Sequence, residues 1–190
     1  MASKDASDVA KRCLCLELLL QRVGLEVDDE DPADARDAIR IQWVARLADL
    51  GLSLVVLPEE RALLERPVGE LTEDETDEMQ GQASAALVFL WALGRLPAPP
   101  SIESVIDMPD LVAEHGVLGS GSISAALATV AAAKLRPDAE LREALEAYAV
   151  KQGDGSADRE LEPSEVVAVL TTHALDWVTD RYAKYEYASV

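Results

Sequence analysis

This chain has little of what builds metal centres, disulfide frameworks or nucleic-acid surfaces. Two cysteines, two histidines, one phenylalanine and 17 basic residues are spread over 190 positions. Each scarcity removes a class of function. Cys13 and Cys15 are two apart, so on a helix they point to different faces and are badly placed to share a metal. Packed, reduced thiols are the expectation. The two histidines, His115 and His173, are distant in sequence, too few for a zinc site with a Cys-x-Cys pair. Their spacing supports no Ser-His-Asp or Cys-His nucleophile. No catalytic residue, cofactor site or metal site is therefore assigned.

Basic residues are outnumbered by 36 acidic ones, which leaves a net charge of -19. Such a chain repels nucleic-acid phosphates and anionic lipid headgroups and attracts cationic protein surfaces. Long apolar runs are missing too. The uncharged stretch from Met79 to Gly94 is 16 residues and contains Gln80, Gln82 and Ser84. A bilayer span needs about 20 apolar residues, so this stretch reads as a buried core helix. At the N-terminus, Asp5, Asp8 and Glu17 interrupt the apolar residues and no small-residue cleavage site follows, which argues against a signal peptide. A cytoplasmic protein with no membrane or nucleic-acid partner is expected. Arg is preferred to Lys and Ala and Val are abundant, a composition that hints at a bacterial source.

What is present favours helices. Aromatics are 4% of the chain and Ala, Leu and Val dominate the apolar content. A first helix is predicted from Ser7 to Val23, stopped by Gly24. A second runs from Pro32 to Leu50, with Ile39, Trp43, Leu47 and Leu50 at helical spacing and Gly51 at its end. "LSLVVLPEE" is the only strand-like stretch, and its isolation makes it an extended link. Pro58 opens a short helix that Pro67 closes. Thr72 and Glu75 form a capping-box pattern, and a long helix is predicted from there to Gly94. "SIESVIDMPDLVAEHG" reads as two short helical pieces. Further helices are expected over Ser122–Leu135, over "PDAELREALEAYAVKQ" with Leu141, Leu145 and Tyr148 on one side, and over "EPSEVVAVLTTHALDWVTDRYAKYEY". The seam of the last is Val166, Val169, Leu170, His173, Trp177 and Arg181. We expect one all-α globular domain over residues 1–190, of about seven to nine helices and no substantial sheet. Trp43, Leu90, Trp91 and Trp177 belong in or near its core.

Two stretches carry a resemblance. "VAKRCLCLELLLQRVGLE" and "LTEDETDEMQGQASAALVFLWALGRLPAPP" together resemble the bacterial domain-of-unknown-function 4272 family. The pattern is an acidic segment, a helix ending in Leu90-Trp91-Ala92-Leu93, and an exit through Leu96, Pro97 and Pro99. The family helix usually carries a Trp and an acidic residue shortly before that motif, where this chain has Gly81 and Ser84. The resemblance implies a mostly helical fold and no assigned activity.

Four features bear on chemistry. "HGVLGSGSIS" places Gly116, Gly119 and Gly121 before a helix whose free N–H groups suit an anion. It lacks the Lys of a P-loop, so Ser120 or Ser122 as a plain cap is preferred. "DGSADRELEPSE" sets oxygens at alternate positions from Asp154, with Glu165 twelfth, in outline an EF-hand loop. Arg159 stands where that turn calls for Gly and Pro163 would lie inside it, so an ordinary acidic loop is preferred to a calcium site. The tyrosines Tyr182, Tyr185 and Tyr187 mark either an interface or a self-packed end. Finally, two acidic segments, near 26–34 and 69–78, are expected to be exposed. They suit fast, salt-sensitive capture of a basic protein. We expect a non-enzymatic interaction protein with a basic partner, such as an adaptor or an immunity protein against a basic toxin. An enzyme with an acidic site around His173, or a structural domain without a charged partner, remain the alternatives.

Overall fold

The computed structural model describes residues 3–28, 30–101, 114–118, 122–150, 163–180 and 183–186. Eight helices run through them: α1 (Ala6–Val27), α2 (Ala33–Asp49), α3 (Pro58–Glu65), α4 (Glu73–Gly81), α5 (Ala83–Ala92), α6 (Ile123–Ala132), α7 (Asp138–Ala149) and α8 (Pro163–Thr179). There is no strand among the described residues.

Helix α1 is the spine. Asp5 caps it, its side chain accepting the Ser7 N–H at 2.9 Å. It packs against α2, α3, α4, α5 and α6. Contact on that many sides buries residues all around it, from Val9 and Ala10 to Val23 and Leu25. Gly24 does not stop it. The helix runs on to Val27, and the Asp28 N–H donates to the Gly24 carbonyl at 3.0 Å. Gly24 has negative φ, and an added Cβ there would meet nothing within 4 Å.

Two other glycines do end helices. At Gly51, with φ 69°, the Gly51 N–H reaches Ala48 O at 3.0 Å and the Leu52 N–H reaches Leu47 O at 2.8 Å. At Gly94, with φ 72°, the matching bonds are Gly94 to Trp91 at 2.8 Å and Arg95 to Leu90 at 2.9 Å. Each is a Schellman pair, which requires a left-handed residue. The strand-like "LSLVV" that follows Gly51 is a turn, not an extended link. Val55 and Val56 N–H groups both return to Leu52 O, at 2.9 and 3.0 Å. Leu52 and Val56 are thereby buried and Leu54 is left 99% exposed.

The helix expected from Thr72 to Gly94 is broken at Gln82. Thr72 and Glu75 do form the capping box. However, the Gln82 N–H tightens onto Met79 O at 3.1 Å, and Gln82 is itself buried, its amide oxygen accepting the Tyr185 hydroxyl at 3.2 Å. The break separates two different environments: α4 has one buried residue, Met79, whereas all of α5 from Ala83 to Ala92 is buried.

Helix α5 lies between α1 and α8. Arg136 closes its C-terminal end, with Nε on Trp91 O at 2.8 Å and Nη2 on Leu96 O at 2.8 Å. The first exit proline follows Leu96, and the Pro100 carbonyl accepts the Tyr148 hydroxyl of α7. Helix α8 faces both α5 and α7, so its buried side is wider than the expected seam. Ala168, Leu170, Thr171, Ala174, Leu175, Trp177 and Val178 are buried; Val166, Val169 and His173 are only partly so. Arg181 lies outside the described residues, as do most of the two short pieces expected between Ser101 and Gly116. Phe89, Trp177 and Tyr185 meet at centroid distances of 5.3 to 5.9 Å and fill the α5–α8 seam.

The candidate functional site is an acidic end

The two acidic segments meet at the C-terminal end of α1. Glu26, in the last turn of α1, joins them. Its carboxylate accepts the Gly69 N–H at 2.6 Å and the Leu71 N–H at 3.2 Å. It also holds Arg22 at 2.8 Å, one helical turn back. Arg22 reaches the Arg66 and Pro67 carbonyls at 3.2 and 3.1 Å. From α2, Asp37 accepts the Val68 N–H at 3.1 Å and pairs with Arg40, whose Nη1 reaches Glu65 O at 2.7 Å. The link between α3 and α4 is thus stitched to the α1–α2 corner.

The stitching changes protonation. Burial works to raise the Glu26 pKa, but the Gly69 and Leu71 N–H groups and Arg22 outweigh it and hold the carboxyl below its ordinary value. Its Arg40 hydrogen bond likewise lowers Asp37. Both carboxylates stay ionised at neutral pH and are spent on the scaffold.

Outside this seam lie nine exposed carboxylates: Asp28, Glu30, Asp31 and Asp34 from the first segment, and Glu70, Glu73, Asp74, Asp77 and Glu78 from the second. None of them is in an ion pair among the described residues. The arginines of this end are directed into the scaffold. Arg22 pairs with Glu26, Arg40 with Asp37 and Arg66 with Glu75 at 2.6 Å, and Arg36 donates to Leu25 O at 2.6 Å. Glu75 is held down to about 2, first by Arg66 and then by the Thr72 N–H. The outcome is an end whose exposed carboxylates are in no ion pair among the described residues, on an arginine-tied base. Sequence reading found the two segments but not their joint. Its one signal is Arg22 and Glu26, four apart at the helix end that precedes the acid run.

The remaining candidates fall elsewhere. The helix start after the glycine loop carries the plain Ser122 cap, and the N–H groups just after Gly116 are taken by an internal carboxylate. Glu17 of α1 accepts the Val117 N–H at 2.6 Å and the Leu118 N–H at 2.8 Å. Arg95 holds the same loop through the His115 and Gly116 carbonyls. Burial raises the Glu17 pKa, partly offset by the Leu118 and Val117 N–H groups. Gly119, Ser120 and Gly121 lie outside the described residues, and Ser122 is the cap of α6, its hydroxyl accepting the Ala125 N–H.

His115 is half-buried, its ring 3.9 Å from Glu114. His173 donates from Nε2 to the Glu186 carbonyl and lies edge-on to Tyr185 at 5.9 Å. Tyr185 is buried against the domain's own body; Tyr182 and Tyr187 lie outside the described residues. Cys13 and Cys15 are free and buried, and burial pushes both thiols up, Cys15 to about 12. Both are poor nucleophiles at neutral pH. The calcium-like loop lies outside the described residues from Asp154 to Glu162. Among the described residues no group of three or more His, Cys, Asp and Glu is placed to hold a metal ion, and no helix is long and apolar enough to cross a membrane.

No curated protein and no solved structure matches the sequence. A family model does, that of the domain of unknown function DUF4272, over residues 1–189. The match extends well past the two stretches that first carried the resemblance. It takes in the acidic corner, the glycine loop and the C-terminal helices. The chain belongs to the DUF4272 family.

Proposed function

We propose that this protein is a non-enzymatic, cytoplasmic bacterial interaction protein whose acidic end captures a basic protein partner, in an adaptor or immunity-like role. The observation that carries the reading is the Glu26 joint, which sets the two acidic segments side by side. A net charge of -19 spread evenly would serve solubility alone. Here the acids of one end are exposed while its arginines are committed inward, and that arrangement concentrates negative potential on one face. Such a face speeds encounter with a cationic partner and sets its orientation. The pairing is expected to be salt-sensitive, because exposed charges are screened within a few ångströms at about 0.5 M salt.

The test is a pull-down from a lysate of the source cells at low salt. Release of one basic protein at about 0.5 M salt supports the reading. Capture that persists in high salt, or an empty eluate, contradicts it.

A further inference from the structure

At the other end of α1, a groove of about 360 Å³ opens beside the aromatic seam. Asp8 and Glu26 are 18 residues apart on α1, so this groove and the acidic joint are separated by about 27 Å along the helix. Four charged side chains line the groove, and three are cations: Lys4, Arg12 and Lys184, against Asp8 alone. With Arg12 paired to Glu60, Lys4 and Lys184 still outnumber Asp8, which runs against a composition of 36 acids and 17 bases. Trp177 and Tyr185 line it with aromatic surface, and Leu54, Val55 and Leu57 with aliphatic surface.

The cations are ordered by the wall. The Arg12 guanidinium lies over the Tyr185 ring at 4.0 Å and the Lys4 ammonium over Trp177 at 5.0 Å. Lys4 is tied to the tail by a bond to the Ala183 carbonyl. Arg12 is 1% exposed and gives both Nη atoms to Glu60, so its charge is committed and it serves to fix the Tyr185 ring. Lys184 is exposed and in no ion pair among the described residues. Leu54, fully exposed in a turn that two hydrogen bonds hold in shape, presents an apolar side chain at the groove.

We infer that this groove binds a small organic acid, its anionic head beside Lys4 and Lys184 and its flat apolar body between Trp177 and the Leu54–Leu57 turn. The volume is at the lower end of that of small-molecule sites, which suits one or two rings with an acidic group. Another cavity, about 320 Å³ beside Arg95 and Lys134, makes a weaker case. It has no aromatic wall, and its arginine is spent on the His115 and Gly116 carbonyls.

The probe is 8-anilinonaphthalene-1-sulfonate, an aromatic anion that brightens in apolar sites and takes energy from tryptophan. The expected result is saturable binding of one molecule per chain with loss of Trp177 emission. Lys184→Glu and Leu54→Asp, both at exposed positions, are each expected to weaken it about tenfold or more. Lys134→Glu, which changes net charge equally at the other cavity, leaves it unchanged. The uncharged analogue N-phenyl-1-naphthylamine binds about tenfold more weakly than the sulfonate. Circular dichroism checks that each variant is folded. The inference is overturned by non-saturable binding, by equal binding of the uncharged probe, by parental affinity in folded Lys184→Glu and Leu54→Asp, or by loss in Lys134→Glu.

Discussion

Arg12 and Glu60 form a buried, two-pronged ion pair. Nη1 and Nη2 of Arg12 each donate to one oxygen of Glu60, and the Glu60 side chain is 0% exposed. The same Glu60 carboxylate accepts the Leu57 N–H at 2.8 Å and so caps α3. Burial opposes the charge of Arg12, and the Glu60 carboxylate more than offsets this, raising its pKa above the ordinary arginine value. Glu60→Ala leaves a buried, uncompensated guanidinium and is expected to cost about 3–5 kcal/mol in urea unfolding. Replacing both partners, Arg12→Met with Glu60→Leu, is expected to recover most of that loss. Equal destabilisation in the double variant would mean that the cap on α3, not the charge pair, carries the energy.

Gly24 provides a local test of α1. It occupies an exposed helical position without positive φ. Gly24→Ala is therefore expected to stabilise the domain by about 0.5–1 kcal/mol, by restricting the unfolded chain and raising helix propensity. Thermal unfolding measures it. Were Gly24 a left-handed stop, the same change would destabilise.

Glu17 makes stability depend on pH in an unusual direction. Its folded pKa is raised by burial, while its unfolded value is the ordinary 4.5. A carboxyl that binds its proton more tightly when folded contributes stability that is present below 4.5 and lost as pH rises through the folded pKa. The stability of the parent minus that of Glu17→Gln is thus expected to fall between pH 4.5 and neutrality. Urea titrations of both proteins at several pH values give that difference. A flat or rising difference contradicts a raised Glu17.

Glu75 behaves in the opposite way. Its folded pKa of about 2 means that its contribution is present above 4.5 and disappears as pH falls through 2. The side-chain carboxyl carbon of Glu75 is expected to titrate near 2 by NMR in the parent and closer to 4.5 in Arg66→Gln. An unchanged midpoint in the variant would remove Arg66 as the cause.

Local signals in the sequence were reliable where one turn decides the outcome. Gly51 and Gly94 end their helices, and Thr72 with Glu75 caps α4. The all-round apolar character of the α5 stretch matches its full burial. Signals failed where the partner is far away in the chain. Gly24 looks like a stop, yet packing on several sides carries α1 past it. The break at Gln82 places its side chain against Tyr185, 103 residues on. The charges of α1 read as polar breaks in an apolar run, because Glu60 is 48 residues from Arg12 and Val117 is 100 from Glu17. A lone Glu17 within "LCLELLL" was the available hint that an internal ligand for a loop was present. The acidic segments were legible as composition; their meeting required the Glu26 joint.

The most direct test of the acidic-end reading compares two variants of equal net charge. One replaces Glu30, Asp31, Asp34 and Asp74 with their amides. The other does the same to Asp49, Glu59, Glu143 and Glu146, which are also exposed but lie away from the joint. Each is used as bait for the basic protein that the parent releases in salt. The first variant is expected to lose the partner and the second to keep it. Equal loss in both would show that overall charge, and not the face built on Glu26, does the binding.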